Sequence, residues 1–366
     1  MNGAGVPAWR LVGRAGAARE PMSDAGVRTL LLVCCAGVAL LSLAAGAVAI
    51  TPADIARIVA GSAGIGEAGS GDAALRAVLL HIRMPRVVLA ATVGATLGIC
   101  GAGLQGMFRN PLADPALIGV SAGAAVAVVI VTVAGNWIDP GGRLGLTLPS
   151  IAGFVGALAT VSLVHRISLR SDRTVITTML LAGIGVNALA GAITALLVHF
   201  ATDAQVRSIL FWTMGSLSGA SWKLVAVAIP VLAVSALMLM PLHRALDAMM
   251  LGESEAGYLG IDVEATKRRI LRGASLGVAM AVAATGVIGF VALVAPRLMR
   301  LLCGPGHRQT MAGSLCIGAI LLMASDLGAR TLAAPAELPV GALTALAGAP
   351  LLLWLLRPQR EAELEP

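Results

Sequence analysis

Residues 83–109 read RMPRVVLAATVGATLGICGAGLQGMFR. Between Arg86 and Arg109 lie 22 consecutive residues without a charge, 87–108. A helix rising 1.5 Å per residue covers about 33 Å over that length, and the hydrocarbon core of a bilayer is about 30 Å thick. The stretch therefore predicts a membrane-spanning helix with an arginine boundary at each end. Pro85 falls in its first turn, where a missing N–H would be unpaired anyway.

The same pattern repeats along the chain. Uncharged runs occupy 29–50, 87–108, 116–138, 144–164, 174–198, 224–242, 273–296, 309–325 and 338–356. The composition agrees: 58% of the 366 residues are hydrophobic and 12% are charged, against about 25% charged in ordinary soluble domains. A lipid bilayer accepts that much apolar surface and a soluble core does not. The run at 29–50 follows Arg10, Arg14, Arg19 and Arg28, as in a signal peptide, but exceeds the roughly 7–15 apolar residues of a signal core. It reads as a retained first span.

The seventh run is ambiguous, because apolar character resumes after Arg297 and Arg300 and continues to Cys303. It forms either one helix or a hairpin breaking near Gly286 and Gly289. Charge arbitrates. With the N-terminus inside, a single crossing leaves 14 basic residues inside and 12 outside, whereas a hairpin gives 18 and 8. The positive-inside rule favours the hairpin. The expected fold is an all-α polytopic transmembrane bundle of about ten helices with both termini cytoplasmic. The segment 1–28 and the tail 358–366 would be cytoplasmic, flanking a membrane domain over 29–357. Two short helices cannot share 273–303, so residues upstream of 273 must join the seventh helix.

The net charge of +7 comes from arginines spaced between apolar runs, which is membrane topology and not a nucleic-acid-binding face. Cys34, Cys35, Cys100, Cys303 and Cys316 sit in apolar stretches without metal-ligand spacing, and the five histidines are scattered, so no metal site is expected. There is no G-x-x-x-x-G-K-[ST], so the chain cannot hold ATP phosphates in the P-loop manner. H-E-x-x-H and Cys-x-x-Cys are also absent.

Several loops carry distinctive residues. Arg83-Met-Pro-Arg86 reads either as interfacial arginines reaching for water or as a fixed outward cationic spot. Arg109-Asn110-Pro111-Leu-Ala-Asp114-Pro115 breaks the helix into an inner turn, across which Arg109 and Asp114 are able to pair. Phe211 to Trp222 is an outer loop with interfacial tryptophans. Leu251-Gly252-Glu253-Ser-Glu-Ala256-Gly-Tyr-Leu259-Gly260, inside, reads as a short amphipathic turn with Ala256 and Leu259 on one side, suited to a groove on another protein, or as a solvated connector. Gly286 to Pro296 marks a break. Asp326, Arg330 and Glu337 are ionisable groups at helix ends that flag function or pair with one another.

Taken together, these motifs resemble the FecCD-type permease family of bacterial ABC importers for iron chelates and cobalamin, over about residues 28–357. The resemblance rests on Arg83-Met-Pro-Arg86, Arg109 to Pro115, the Leu-Gly pairs of 251–260, Gly286-Val-Ile-Gly289 to Pro296, and Glu337-Leu-Pro339-Val-Gly341 with Gly348-Ala-Pro350. It implies ten helices, a homodimer in the bacterial inner membrane, and a path lined by the fifth helix near 174–198. It implies two ATPase subunits docked inside on Leu251, Gly252, Glu253, Ala256, Leu259 and Gly260. A periplasmic binding protein would dock outside on Arg83, Arg86 and Arg330. The implied activity is transport of a metal chelate, with ferric siderophore first and heme or cobalamin behind it. The chain itself would be no enzyme and bind no cofactor, ATP being used by the partner. The family commonly has histidine after the proline of its fifth motif; here it is Arg297.

Two other classes compete. A secondary transporter coupled to ions needs carboxylates near the midplane, and every Asp and Glu lies outside the uncharged runs. An intramembrane enzyme needs a facing nucleophile and base, and no such pair is readable.

Overall fold

The helices follow the uncharged runs, but their ends move to where turn chemistry and ion pairing allow. The computed structural model describes residues 24–46, 50–62, 73–135, 147–171 and 173–363. Most of the expected cytoplasmic segment 1–28 and the last three residues of the tail lie outside that set.

In chain order the helices are α1 (Asp24–Ala44), α2 (Pro52–Ser62) and α3 (Ala73–Phe108), the last with a π-helical stretch over Val78–Arg83. A 3-10 turn, Pro115–Ile118, precedes α4 (Val120–Val133), and α5 is Thr147–Ser168. A two-stranded antiparallel ribbon, β1 (Leu169–Arg170) with β2 (Arg173–Thr174), leads into α6 (Ile176–His199) and α7 (Asp203–Thr213). Then come α8 (Trp222–Leu239), α9 (His243–Leu251) and α10 (Glu253–Tyr258). The chain continues with α11 (Val263–Thr285), α12 (Val291–Cys303), α13 (His307–Thr331) and α14 (Val340–Glu363).

Among the described residues, six helices are long and apolar enough to cross a membrane alone, and Val120–Val133 and Val340–Trp354 are shorter apolar helices. Adding α11 and α12, the seventh run is indeed a hairpin. Its break is made by Gly286 in the left-handed region (φ 72°) and by Phe290 (φ 66°); Gly289 has no positive φ and open space around it. As length required, α11 begins upstream, at Val263. The third span is shorter than its run because Pro115 opens a 3-10 turn and Gly119 turns left-handed (φ 84°) before α4 starts. The described helix α14 continues through Glu363, into the expected tail.

Helix α3 is the hub: 78% of its most apolar window is buried inside the protein, against 11% for α6 and 17% for α1. The reason is a stripe of small residues. A side chain at Gly94, Gly98 or Gly101 would fall on a backbone carbonyl of Gly318, Ser314 or Ala292, so α3 lies backbone-to-backbone against α13 and α12. Lipid offers apolar groups no gain on leaving it, so such close packing is what holds membrane helices together.

Candidate functional site

The bundle has an ionic assembly at each end. At the first end, α3 begins with Arg83 and Arg86, α13 finishes with Asp326 and Arg330, and the loop after it supplies Glu337. The Asp326 side chain is fully buried. Arg86 donates from Nε to Asp326 Oδ1 at 2.9 Å and from its two terminal nitrogens to Glu337 at 2.8 and 3.1 Å. Such a fork matches a carboxylate geometrically. Arg330 donates from Nε to Asp326 Oδ2 at 3.2 Å and from Nη2 to the Ser42 hydroxyl and carbonyl at 2.7 and 3.0 Å. Arg83 donates to the Leu43 and Ala44 carbonyls at 2.6 and 2.9 Å, where a cation meets the negative end of the α1 dipole. Arg83 and Arg86 are only 5% and 6% exposed. In a single copy the three expected docking arginines are therefore not open outward charges. These guanidiniums turn inward, because a buried carboxylate and orphan helix-end carbonyls satisfy them better than open water does.

The same end gathers three stretches that looked unrelated. Ser216 N–H donates to Thr285 O at 2.8 Å, and Val340 and Gly341 N–H donate to Gly215 and Met214 O at 3.1 Å each. The tryptophan loop, the break after α11 and the Pro339–Gly341 turn thus form one backbone junction.

At the other end Lys267 is the centre. It is 2% exposed, and its Nζ lies 2.7 Å from Glu253, 3.2 Å from Glu264 and 3.3 Å from the Thr174 carbonyl. Glu264 also accepts the Thr174 N–H at 2.9 Å. One ammonium therefore ties α10, α11 and the ribbon that feeds α6. A second tie joins α9 to α13: Asp247 accepts the His307 N–H at 2.9 Å and lies 2.7 Å from its Nδ1. A third joins α3 to α12, with Arg300 donating to Gln105 Oε1 at 2.6 Å. Arg297 directly follows Pro296 at this end and is half-buried.

The 251–260 segment rides on these ties. Gly252 (φ 134°) separates α9 from α10, and Gly260 (φ 82°) ends α10. There Ile261 N–H reaches Ala256 O at 3.0 Å and Gly260 N–H reaches Gly257 O at 3.0 Å, a paired C-terminal closure that needs a left-handed residue. Leu251 and Leu259 stand out at 69% and 64% exposure, beside Met250 and Tyr258. Ala256 is fully buried, which corrects its expected place beside Leu259: α10 ends at Tyr258, so the helical periodicity no longer relates the two.

The residues 109–115 form a turn and not an ion pair. Arg109 (φ 49°) closes α3, Asn110 Oδ1 accepts Leu112 N–H at 2.9 Å, and Asp114 caps the 3-10 turn through Ala116 N–H at 2.7 Å. Burial pushes the Asp114 carboxyl up, and that amide pulls it partly back. Pro111 is exposed and Pro115 buried.

A bundle of this kind with an apolar segment projecting from one end, and no nucleotide loop of its own, invites comparison with transport subunits. The model of the FecCD transport family matches residues 31–358. The chain belongs to the FecCD transport family. It is 42% identical over 284 residues to the hemin transport system permease protein HmuU of Yersinia pestis, covering 78% of this chain and 84% of that one. It is 43% identical over 283 residues to the cobalamin import system permease protein BtuC of Halobacterium salinarum, covering 75% and 72%. A solved metal-chelate type ABC transporter in an inward-facing conformation aligns over 92% of this chain and 98% of its own, with TM-score 0.78 and 28% identity.

As a FecCD chain it is a multi-pass membrane permease subunit of an ABC transporter and not an enzyme. Of the residues single-sequence reading singled out, the structure joins Arg86, Arg330 and Glu337 in one network and places Arg83 beside it. It joins Leu251 to Gly260 in one projecting segment. The roles of Lys267, Asp247, His307 and Gln105 are not legible in the sequence, because all their partners named above except Glu264, three positions from Lys267, lie 14 to 195 positions away.

Proposed function

We propose that this FecCD chain is the permease half of an importer that moves a metal chelate from periplasm to cytoplasm, driven by a separate ATPase. The observation that carries the reading is the projecting segment: an exposed apolar ridge of Met250, Leu251, Tyr258 and Leu259 on a base that Lys267 locks to α11 and to the ribbon before α6. An exposed apolar ridge suits a groove on another protein, and the lock transmits its displacement to the ribbon that enters α6. Two ATPase subunits would sit there, on the cytoplasmic side, which the positive-inside count also assigns to that end. Two copies would pack about a shared axis with α6, largely unburied in one copy, on the path. A binding protein would dock at the Arg86 end. Its carboxylate reaches Arg86 by displacing Glu337, whose side chain is 44% exposed. Alternating access then follows from rocking one bundle against the other.

The cargo we propose is a metal chelate of the tetrapyrrole class, heme or cobalamin. Similarity to relatives named for hemin and cobalamin supports it ahead of the ferric siderophore expected from sequence. The test is uptake in proteoliposomes holding the chain, its ATPase and its binding protein, offered heme, cobalamin and ferric siderophores in turn. ATP-dependent accumulation of one tetrapyrrole is expected. Uptake driven by an imposed ion gradient without ATP would overturn the importer reading, and uptake of siderophore alone would overturn the cargo.

A further inference from the structure

Between the last turns of α5 and the first turns of α11, closed by α8, lies a cavity of about 440 Å³ at the Lys267 end of the bundle. Its lining is graded. Arg166, Arg268 and Arg272 stand nearest the end of the bundle, and Leu158 and Leu276 lie deeper. From Arg166 to Leu158 is about 12 Å along a helix, enough for a headgroup and the first carbons of a chain. No aspartate or glutamate lines the cavity, and among the described residues none of the three arginines has a carboxylate within salt-bridge distance. The acid nearest in sequence, Glu264, is spent on Lys267 and the Thr174 amide. Two further polar atoms in the lining are buried without a partner: Ser275 Oγ, on a residue 5% exposed, and His165 Nδ1. Buried polar atoms are almost always paired, so each asks for an explanation.

We propose that this cavity binds the phosphate headgroup of an anionic phospholipid, with the arginines on the phosphate, the Ser275 hydroxyl and His165 completing its hydrogen bonds, and one acyl chain along the apolar floor. A lipid is favoured over a free anion because the apolar floor runs into helices that cross the bilayer, which a free anion leaves bare. Basic pockets between spanning helices at a membrane face are built for such headgroups. The site is independent of the transported cargo and of the ATPase, so its test stands or falls apart from the importer reading.

The experiment is native mass spectrometry of the purified, delipidated full chain titrated with phosphatidylglycerol or cardiolipin, with phosphatidylcholine and inorganic phosphate as separate arms. One anionic lipid per protomer is expected, in preference to phosphatidylcholine. Arg268→Gln with Arg272→Gln should weaken it about thirtyfold, and Arg272→Gln alone, at an exposed position that leaves the fold intact, about fivefold. Arg244→Gln with Arg269→Gln removes the same charge from exposed residues outside the lining and should leave binding unchanged. Equal binding of phosphatidylcholine, equal loss in that control pair, or an unaffected Arg272→Gln would overturn the proposal. Displacement of the lipid by millimolar phosphate would overturn the lipid and leave a free-anion site.

Discussion

Two buried charges carry the residue-scale argument. Asp326 is shared by Arg86 and Arg330, and removing one partner of a buried pair leaves charge without compensation, typically at about 3–5 kcal/mol. Arg330 remains on Asp326 at 3.2 Å, so Arg86→Ala belongs at the low end, about 3 kcal/mol. Glu337 is 44% exposed, so Glu337→Gln should cost about 1 kcal/mol or less. Thermal melts in detergent should therefore rank Arg86→Ala well below Glu337→Gln; equal melting points would show that Asp326 does not depend on Arg86. Lys267→Met keeps the volume and removes the ammonium. Its partners Glu253 and Glu264 are 35% and 21% exposed and recover some water, so stability should fall by only about 1–2 kcal/mol. Hydrolysis stimulated by the binding protein should fall far more than basal hydrolysis by the assembled complex. A parallel fall in both would make Lys267 a plain structural residue.

At the scale of elements, contact between α3 and α13 rests on glycines, and the projecting segment rests on its caps. Gly98→Leu places four carbons where Ser314 backbone now lies, and overpacking of that kind costs about 1–3 kcal/mol or more. Gly37, on α1, has nothing within 4 Å, and Gly37→Leu should be neutral or slightly stabilising through helix propensity. Comparing the yield and melting of the two variants separates loss of close approach from loss of glycine as such. Leu251→Asp with Leu259→Asp alters two exposed side chains, so melting should hold while the ATPase no longer co-purifies. Retained co-purification would place the docking surface elsewhere.

For the whole molecule, the question is what covers α6, only 11% of whose apolar window is buried. A single cysteine at Leu189, 62% exposed, in a background without the five native cysteines, tests it. If α6 lines the path in the assembled complex, a water-soluble maleimide labels that cysteine at a rate that changes with ATP. Unchanging, slow labelling would place this face against lipid.

Read alone, the sequence determined the membrane class, the nine runs and the split of the seventh, because bilayer thickness, helix rise and the sign of flanking charge are properties of short windows. It located the projecting segment, whose glycines and exposed leucines are contiguous, and it reached the family through motifs in order. It misjudged a helix end where the charge that stops an uncharged run is paired inside the bundle: α13 continues past Asp326 and Arg330 to Thr331, because Asp326 pairs with both Arg330 and Arg86. The tertiary structure alone decided which way the arginines face, that Ala256 is inside, that Lys267 joins three elements, and that three helices enclose a basic cavity. Each depends on partners brought together from distant runs, and the energy of a buried charge is set by those partners and not by its neighbours along the chain.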